Sequence, residues 1–454
     1  MSRVRVMAAS GMVGYGFTEK AFAAGLARGL DFIACDAGSM DPGPYYLGAG
    51  TAFVSRTAAK RDIGLMLEGG ISARIPVLVG SAGGGGGTPH LAWLRDIVAE
   101  VARERHLHFR MALIHSEQSP DYLQNKLAAN KIRPLGPIGE LSAEDVAASH
   151  RIVAMMGVKP YQQALADGAD VIIAGRSSDA ALFAAIPLMR GVNPGLAWHL
   201  AKIIECGSQV IEPRTGQDCI LGTLHDDYFL VEPADPDKRC TRLRVAAHTL
   251  YENPDPYRLI EPEGVLDTSA ARYEQLDTRT VKVSGSRFEP ASVYTVKLEG
   301  VREAGYRTIF FAGVRDPTLV RTIDSFVVTC RERVAGEAAS LGITPDRYRL
   351  GIRVYGRNAV MGSREPLLDS QAHELGLLVD VTADDEDISH AVLAKARYAL
   401  LHTDVPGRKC IAGNLAIPFS PSDLPIGMTY RFNVWHVMQV DDPLEPFRIE
   451  MTDV

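Results

Sequence analysis

IPVLVGSAGGGGGTPHLAW, residues 75–93, decides how the first half of the chain is read. Its opening run, 75–79, is apolar without alternation, the pattern of a strand covered on both faces. Five glycines follow, Gly83, Gly84, Gly85, Gly86 and Gly87, and then Thr88, Pro89 and the amphipathic stretch PHLAWLRDIVAEVARERH. Proline suits the first turn of a helix, where the ladder needs no N–H. A buried strand, a glycine turn and a helix make one crossover unit of a parallel sheet.

The same unit recurs on either side of this stretch. RVRVMAA precedes TEKAFAAGLARG, DFIACDAG precedes TAAKRDIGLMLEGG, HFRMALIHSE precedes SPDYLQNKLAANK, and ADVIIAGRSSD precedes ALFAAIPLMRG. The pattern predicts an α/β domain over 1–208, with a largely parallel sheet and flanking helices. After residue 208 the character changes. DYFLVEP, TRLRVAAHTLYE, TRTVKVSG, SVYTVKLEG and YRTIFFAG alternate apolar with polar, which predicts antiparallel strands with one wet face. A long helix in DPTLVRTIDSFVVTCRERVAGEAASLG, strands in RLGIRVYG and LGLLVDVTA, and a helix in HAVLAKARYALLHT complete a second, α+β part over 209–454. That part includes a long polar loop, 402–423.

Composition bounds the function. A chain of 454 residues is too long for one ordinary core, and its 46% apolar and 23% charged residues suit a globular protein of two or three domains. A net charge of −7 and the lack of any basic run argue against nucleic acid as the partner. No apolar run reaches the roughly 18 residues of a membrane span, and no secretory leader is visible. The six cysteines, Cys35, Cys206, Cys219, Cys240, Cys330 and Cys410, include no CxxC pair; free thiols in a reducing cytoplasm are expected.

In a parallel sheet, ligands bind beyond the carboxyl ends of the strands, against helix N-termini. Bare amides over Gly83–Gly87 and Thr88 would suit an anion there, because glycine lets a ligand reach the backbone. The stretch matches neither GxGxxG nor GxxxxGK[ST]. A hinge or a tight strand-to-helix turn is the plainer reading of the same glycines. Three further strand ends supply candidates. CDAGSMDPGPYYLGAG carries Asp36, Asp41, Tyr45 and Tyr46; a strand-end carboxylate serves as a general base or a hard-cation ligand, or simply caps a turn. AGRSSD places Arg176, whose fork suits a carboxylate or phosphate, ahead of Ser177, Ser178 and Asp179, where helix capping alone accounts for one of them. His115 is an acid–base candidate that could equally be a hydrogen-bonded structural residue. In the 402–423 loop, Arg408 and Asn414 are candidate substrate contacts, and Cys410 is a nucleophile only beside a base.

DAGSMDPGPYYLG, GSAGGGGGTPHLAW, DVIIAGRSSDAALFAA, GVRDP and AGNLAIPFSPSD together resemble the AtuA family, named for acyclic terpene utilisation. The matches run in one order from about residue 8 to about residue 423. The tail YRFNVWHVMQVDDPLEPFRIEMTDV is similar to a small domain of unknown function often encoded beside such proteins. The resemblance implies catabolism of branched terpenoid or other organic acids and brings no residue roles with it. The expectation is therefore a cytoplasmic, homodimeric enzyme acting on a carboxylate or its CoA thioester by lyase or hydratase chemistry. Asp36, His115 and Asp179 would move protons, while Gly83–Gly87, Thr88, Arg176, Ser177, Tyr45, Asn414 and Arg408 would hold the substrate. Mg²⁺ or Mn²⁺ on Asp36, Asp41 or Asp179 could stabilise an enolate. The alternatives are an acyl hydrolase or transferase, for which no GxSxG elbow exists, and a noncatalytic acid-binding subunit of a larger complex.

Overall fold

The computed structural model describes residues 3–370, 372–407 and 413–454, so Arg408 and Cys410 lie outside the described residues. The chain forms two compact units, Met1–Arg302 with Phe432–Val454, and Glu303–Arg431. Five parallel strands make the centre of the first: β1 (Val4–Ala8), β2 (Phe32–Asp36), β3 (Val77–Gly80), β4 (Arg110–Ile114) and β5 (Val171–Ala174). Their spatial order is β1-β2-β3-β5-β4, with Cys35 beside Val79 and Ile114 beside Ala174. The last strand in sequence is thus slotted between β3 and β4, next to the glycine turn.

Both faces of this sheet are covered, which is why its strands do not alternate. Met7, Ile33, Val79 and Ile173 share a core with residues of α1 (Glu19–Leu26), α2 (Arg56–Ala73) and α3 (Thr88–Arg105). Their neighbours Val6, Ala34, Leu78 and Ile172 enter the opposite core, with α4 (Ala181–Met189) and α5 (Pro194–Ile204). Leu91, Leu94, Ile97, Val98 and Val101 recur at helical spacing along α3 and are all buried. Each such side chain contributes about 1.5–3 kcal/mol, so Leu94→Ala would cost roughly 2–5 kcal/mol. The helix stops at His106, whose φ of 54° is left-handed.

Residue 208 marks no boundary between compact units. Ile220–Leu224 pairs antiparallel with β1, and Tyr228–Pro233, Val281–Ser284 and Arg272–Gln275 continue outward as one ten-stranded sheet. The change in sequence pattern records a switch from parallel to antiparallel within one sheet. The units divide instead at 302/303 and 431/432. TRLRVAAHTLYE is also not a strand: Arg242–Thr249 is a helix, capped by Thr241 accepting from the Arg244 N–H. The short strands Arg258–Glu261, Gly264–Asp267 and Arg287–Pro290 form a separate antiparallel sheet in the same unit.

In the second unit, Leu375–Ala383 pairs antiparallel with Tyr306–Val314 on one side and Tyr348–Tyr355 on the other. Helices Ile323–Ser340 and Glu386–His402 pack on this sheet through Phe326, Cys330, Leu393 and Ala396. The chain then re-enters the first unit, where Ile449–Asp453 pairs antiparallel with β4. No helix among the described residues is long and apolar enough to cross a membrane.

Candidate functional site

The glycine turn is buried throughout and packed on both sides. A Cβ at Gly86 would stand 2.2 Å from the backbone nitrogen of Arg176, and φ there is +66°. One at Gly85 would stand 2.9 Å from the His90 ring, and one at Gly38 would stand 2.7 Å from the Gly84 Cα. Glycine is required because the ends of β2 and β5 close against the turn. The N-terminus of α3 already holds an anion, supplied by the chain itself: Thr88 N–H donates to Glu117 Oε2 at 2.7 Å. His90 Nε2 lies 3.0 Å from the Tyr46 carbonyl and 3.1 Å from that of Thr51, and burial keeps its ring neutral.

Beside the turn, Arg176 is anchored within the protein through Nε and Nη1. Its Nε donates to Glu299 Oε2 at 2.7 Å, and its Nη1 reaches Ser177 O at 2.9 Å, Ser81 Oγ at 3.1 Å and Asp179 Oδ1 at 3.1 Å. Its backbone N–H donates to Ser116 Oγ, which in turn donates to Gly86 O. Burial opposes a charge on Glu299, but Arg176 and Lys297 overcome it and hold the group below the usual carboxylate range.

Asp36, at the end of β2, is only 4% exposed. Its Oδ2 accepts from Gly38 N–H at 2.9 Å, whereas Oδ1 has no hydrogen-bond partner among the described residues. The bare α-carbon of Gly80 makes room for a polar convergence: a Cβ there would meet Ser177 Oγ at 2.8 Å, Tyr161 Oη at 3.0 Å and Asp36 Oδ1 at 3.1 Å. Burial pushes the Asp36 carboxyl well up, and the charge of Asp179 pushes it further. Burial raises Asp179 too, against the pull of Arg176; with its side chain 33% exposed and bonded to Arg176, it gives up its proton more readily than Asp36.

Several members of this site were not singled out from sequence. Lys202 Nζ donates to Glu205 Oε1 at 2.6 Å, both side chains being buried. Burial lifts Glu205 to about 7 against the pull of Lys202, and lifts Glu261 to about 8 against the Ser178 hydroxyl. Glu263, also raised by burial, accepts from Val158 N–H at 2.8 Å and from the Tyr294 hydroxyl at 3.0 Å. Glu205 and Cys206 meet His248, their donor atoms all within 4.8 Å of one another. A signal for the first pair existed: every residue of α5 after Pro194 is buried, yet it carries Lys202, with Glu205 one turn on. Carboxyls held protonated beside fixed cations are the usual mark of an acid–base site.

The remaining candidates fall elsewhere. His115 lies 2.8 Å from Arg448 and 3.4 Å from Glu450, and those are its hydrogen-bond partners rather than the Asp36–Arg176 group. Asp41 is exposed, and Tyr45, 40% exposed, stands edge-on to Tyr46. Asn414 belongs to the second unit, where its amide donates to the Leu400 and Thr403 carbonyls at 3.2 and 2.8 Å. Among the described residues, Asp36, Asp41 and Asp179 form no three-donor cluster suited to a cation.

No curated protein and no solved structure matches this chain. The family model described as acyclic terpene utilisation family protein AtuA matches residues 82–217 and 225–418, which include the glycine turn, Arg176, Asp179 and the Glu205–Glu263 carboxyls, and stops short of the 430–454 tail. With most of its length matched, the chain belongs to the AtuA family.

Proposed function

We propose that this protein is a lyase of the hydratase type, adding or removing water beside the carbonyl of a branched organic acid or its CoA thioester during acyclic terpene catabolism. The observation that carries the reading is Asp36, a carboxyl enclosed at a central strand end with one oxygen unpartnered. An unsatisfied buried polar atom costs about 1–3 kcal/mol, a cost that function explains better than stability does. Dehydration needs a base for the α-proton and an acid for the departing hydroxyl. Asp179, charged and partly open to solvent, takes the proton from carbon. The C–H electron pair becomes the new double bond, the C–O bond breaks toward oxygen, and Asp36 gives its proton to form water. One proton then passes between the two carboxyls, and hydration is the reverse. Arg176 positions Asp179 and favours its ionised form against the effect of burial. Arg176 Nε and Nη1 and the Thr88 backbone N–H already have partners within the chain.

The test is α-proton exchange in D₂O with the full chain and a panel of branched unsaturated and β-hydroxy acids, free and CoA-linked. Exchange and turnover that fall by roughly 10²-fold or more in Asp36→Asn are expected. Full activity in that variant, or no exchange with any member of the panel, would sink the reading.

A further inference from the structure

The fold brings a carboxylate, a thiol and an imidazole together just beyond α5. Glu205 and Cys206 follow the helix directly, and His248 comes from the helix Arg242–Thr249. Their donor atoms lie within 4.8 Å of one another. Glu205 and His248 are each only 6% exposed, while Cys206 is half-buried, so the cluster is closed except on the thiol side. The decisive feature is His248 Nε2, buried without a hydrogen-bond partner among the described residues. A buried nitrogen left bare on a ring that joins a polar cluster calls for a ligand. Lys202 occupies Oε1 of Glu205, which leaves Oε2 for a second contact. Asp179 and Glu252 add negative charge close to Cys206, and Glu252 sits at a left-handed φ of 58°.

We propose that Glu205, Cys206 and His248 form a three-ligand site for a divalent transition metal of the zinc type, with its remaining position open toward the substrate. Sulfur and nitrogen donors disfavour Mg²⁺ and Mn²⁺, which prefer oxygen, and three protein ligands are the mark of a catalytic rather than a structural zinc. Ligands about 2.0–2.3 Å from zinc stand roughly 3.3–3.8 Å apart, so side-chain rotations of about 1 Å would close the cluster on an ion. Binding exchanges the Cys206 proton for the metal. The catalytic role rests on the hydratase reading: the open position would take the substrate carbonyl oxygen and polarise it, which acidifies the α-proton, while Asp36 and Asp179 move protons.

Chelator-treated full-length protein titrated with Co²⁺ alone tests the site without reference to turnover. We expect about one equivalent bound, with a thiolate-to-cobalt charge-transfer band and the visible absorption of a tetrahedral ion. Cys206→Ser should abolish that band, and His248→Gln should weaken binding by roughly tenfold or more. Should either variant fail to fold, alkylation of the wild-type chain followed by peptide mass mapping gives the same answer, since Zn²⁺ should protect Cys206. Absence of the band, or a band unchanged in Cys206→Ser, overturns the site, and so does alkylation of Cys206 indifferent to Zn²⁺. Because these readouts need no substrate, the site can stand where the hydratase reading fails. Turnover that survives complete removal of metal would overturn the catalytic role instead.

Discussion

Glu261→Gln should flatten the pH dependence of stability. Glu261 ends the strand Arg258–Glu261, is 7% exposed, and leaves Oε2 without a partner among the described residues. Burial raises it from the ordinary 4.5 to about 8, so the native protein keeps a proton that the unfolded chain releases across that interval. Stability that is full below pH 4.5 is therefore lost as pH climbs toward 8. Three and a half decades of proton affinity at about 1.4 kcal/mol each set a ceiling near 5 kcal/mol, and local relaxation should leave about 2–4. Glutamine fills the same space and cannot ionise. Glu205 titrates in both proteins and cancels in the difference. Tryptophan fluorescence suits the assay because Trp93, Trp198 and Trp435 all belong to the first unit, whose unfolding is the quantity of interest. Urea midpoints at about pH 5 and about pH 8 should draw further apart for the wild type than for the variant, the excess corresponding to that margin, while the drift from Glu205 and the other shared buried carboxyls is common to both. Wild-type and variant profiles parallel within about 0.5 kcal/mol would refute the reasoning, because Glu261 would then be ionised or solvated in the native state.

Glu117→Ala removes the internal anion from α3 and should cost about 1–2 kcal/mol, partly restored by added sulfate; equal stability with and without the glutamate would deny it that role. Gly86→Ala forces a methyl onto the Arg176 backbone at a left-handed φ and should cost about 3 kcal/mol or more, measured by the same urea transition. His115→Gln, which disturbs only the Arg448–Glu450 contact, should leave turnover within about twofold; a loss as large as that of Asp36→Asn would return His115 to the chemistry.

The parallel centre of the fold was legible because burial on both faces leaves a plain mark, as in IPVLVG and DVIIAG. The strand ends that carry Asp36 and Arg176 followed from the same rule. What the glycines do was not legible, since five small residues serve a bound anion and a tight backbone crossing equally well. Pairing decides between them, and only the fold shows Gly86 against Arg176 and Glu117 on Thr88. The alternating segments after residue 208 suggested a new domain because strand pattern reports exposure, not partners; Ile220–Leu224 joins β1 across more than two hundred residues. TRLRV mimics a strand over a few positions, and the cap at Thr241 turned it into the helix that carries His248. Glu261 and Glu263 flank a proline in a short turn, where acidic residues are ordinary. Nothing local says that this turn will be driven into the protein against Ser178 and Val158.

The pairing of Ile449–Asp453 with β4 sets an order of events during synthesis. Thr452 lies beside Met111 and Val454 exchanges backbone hydrogen bonds with Phe109, residues that leave the ribosome long before their partners exist. Until then β4 is the outermost strand of a growing sheet, a row of unclaimed amides open to any passing chain. All of Glu303–Arg431 must be translated in that interval. A message truncated anywhere in the second unit would release a nascent protein with nearly all of its first core and one sticky margin, the kind of product that chaperones and proteases must intercept.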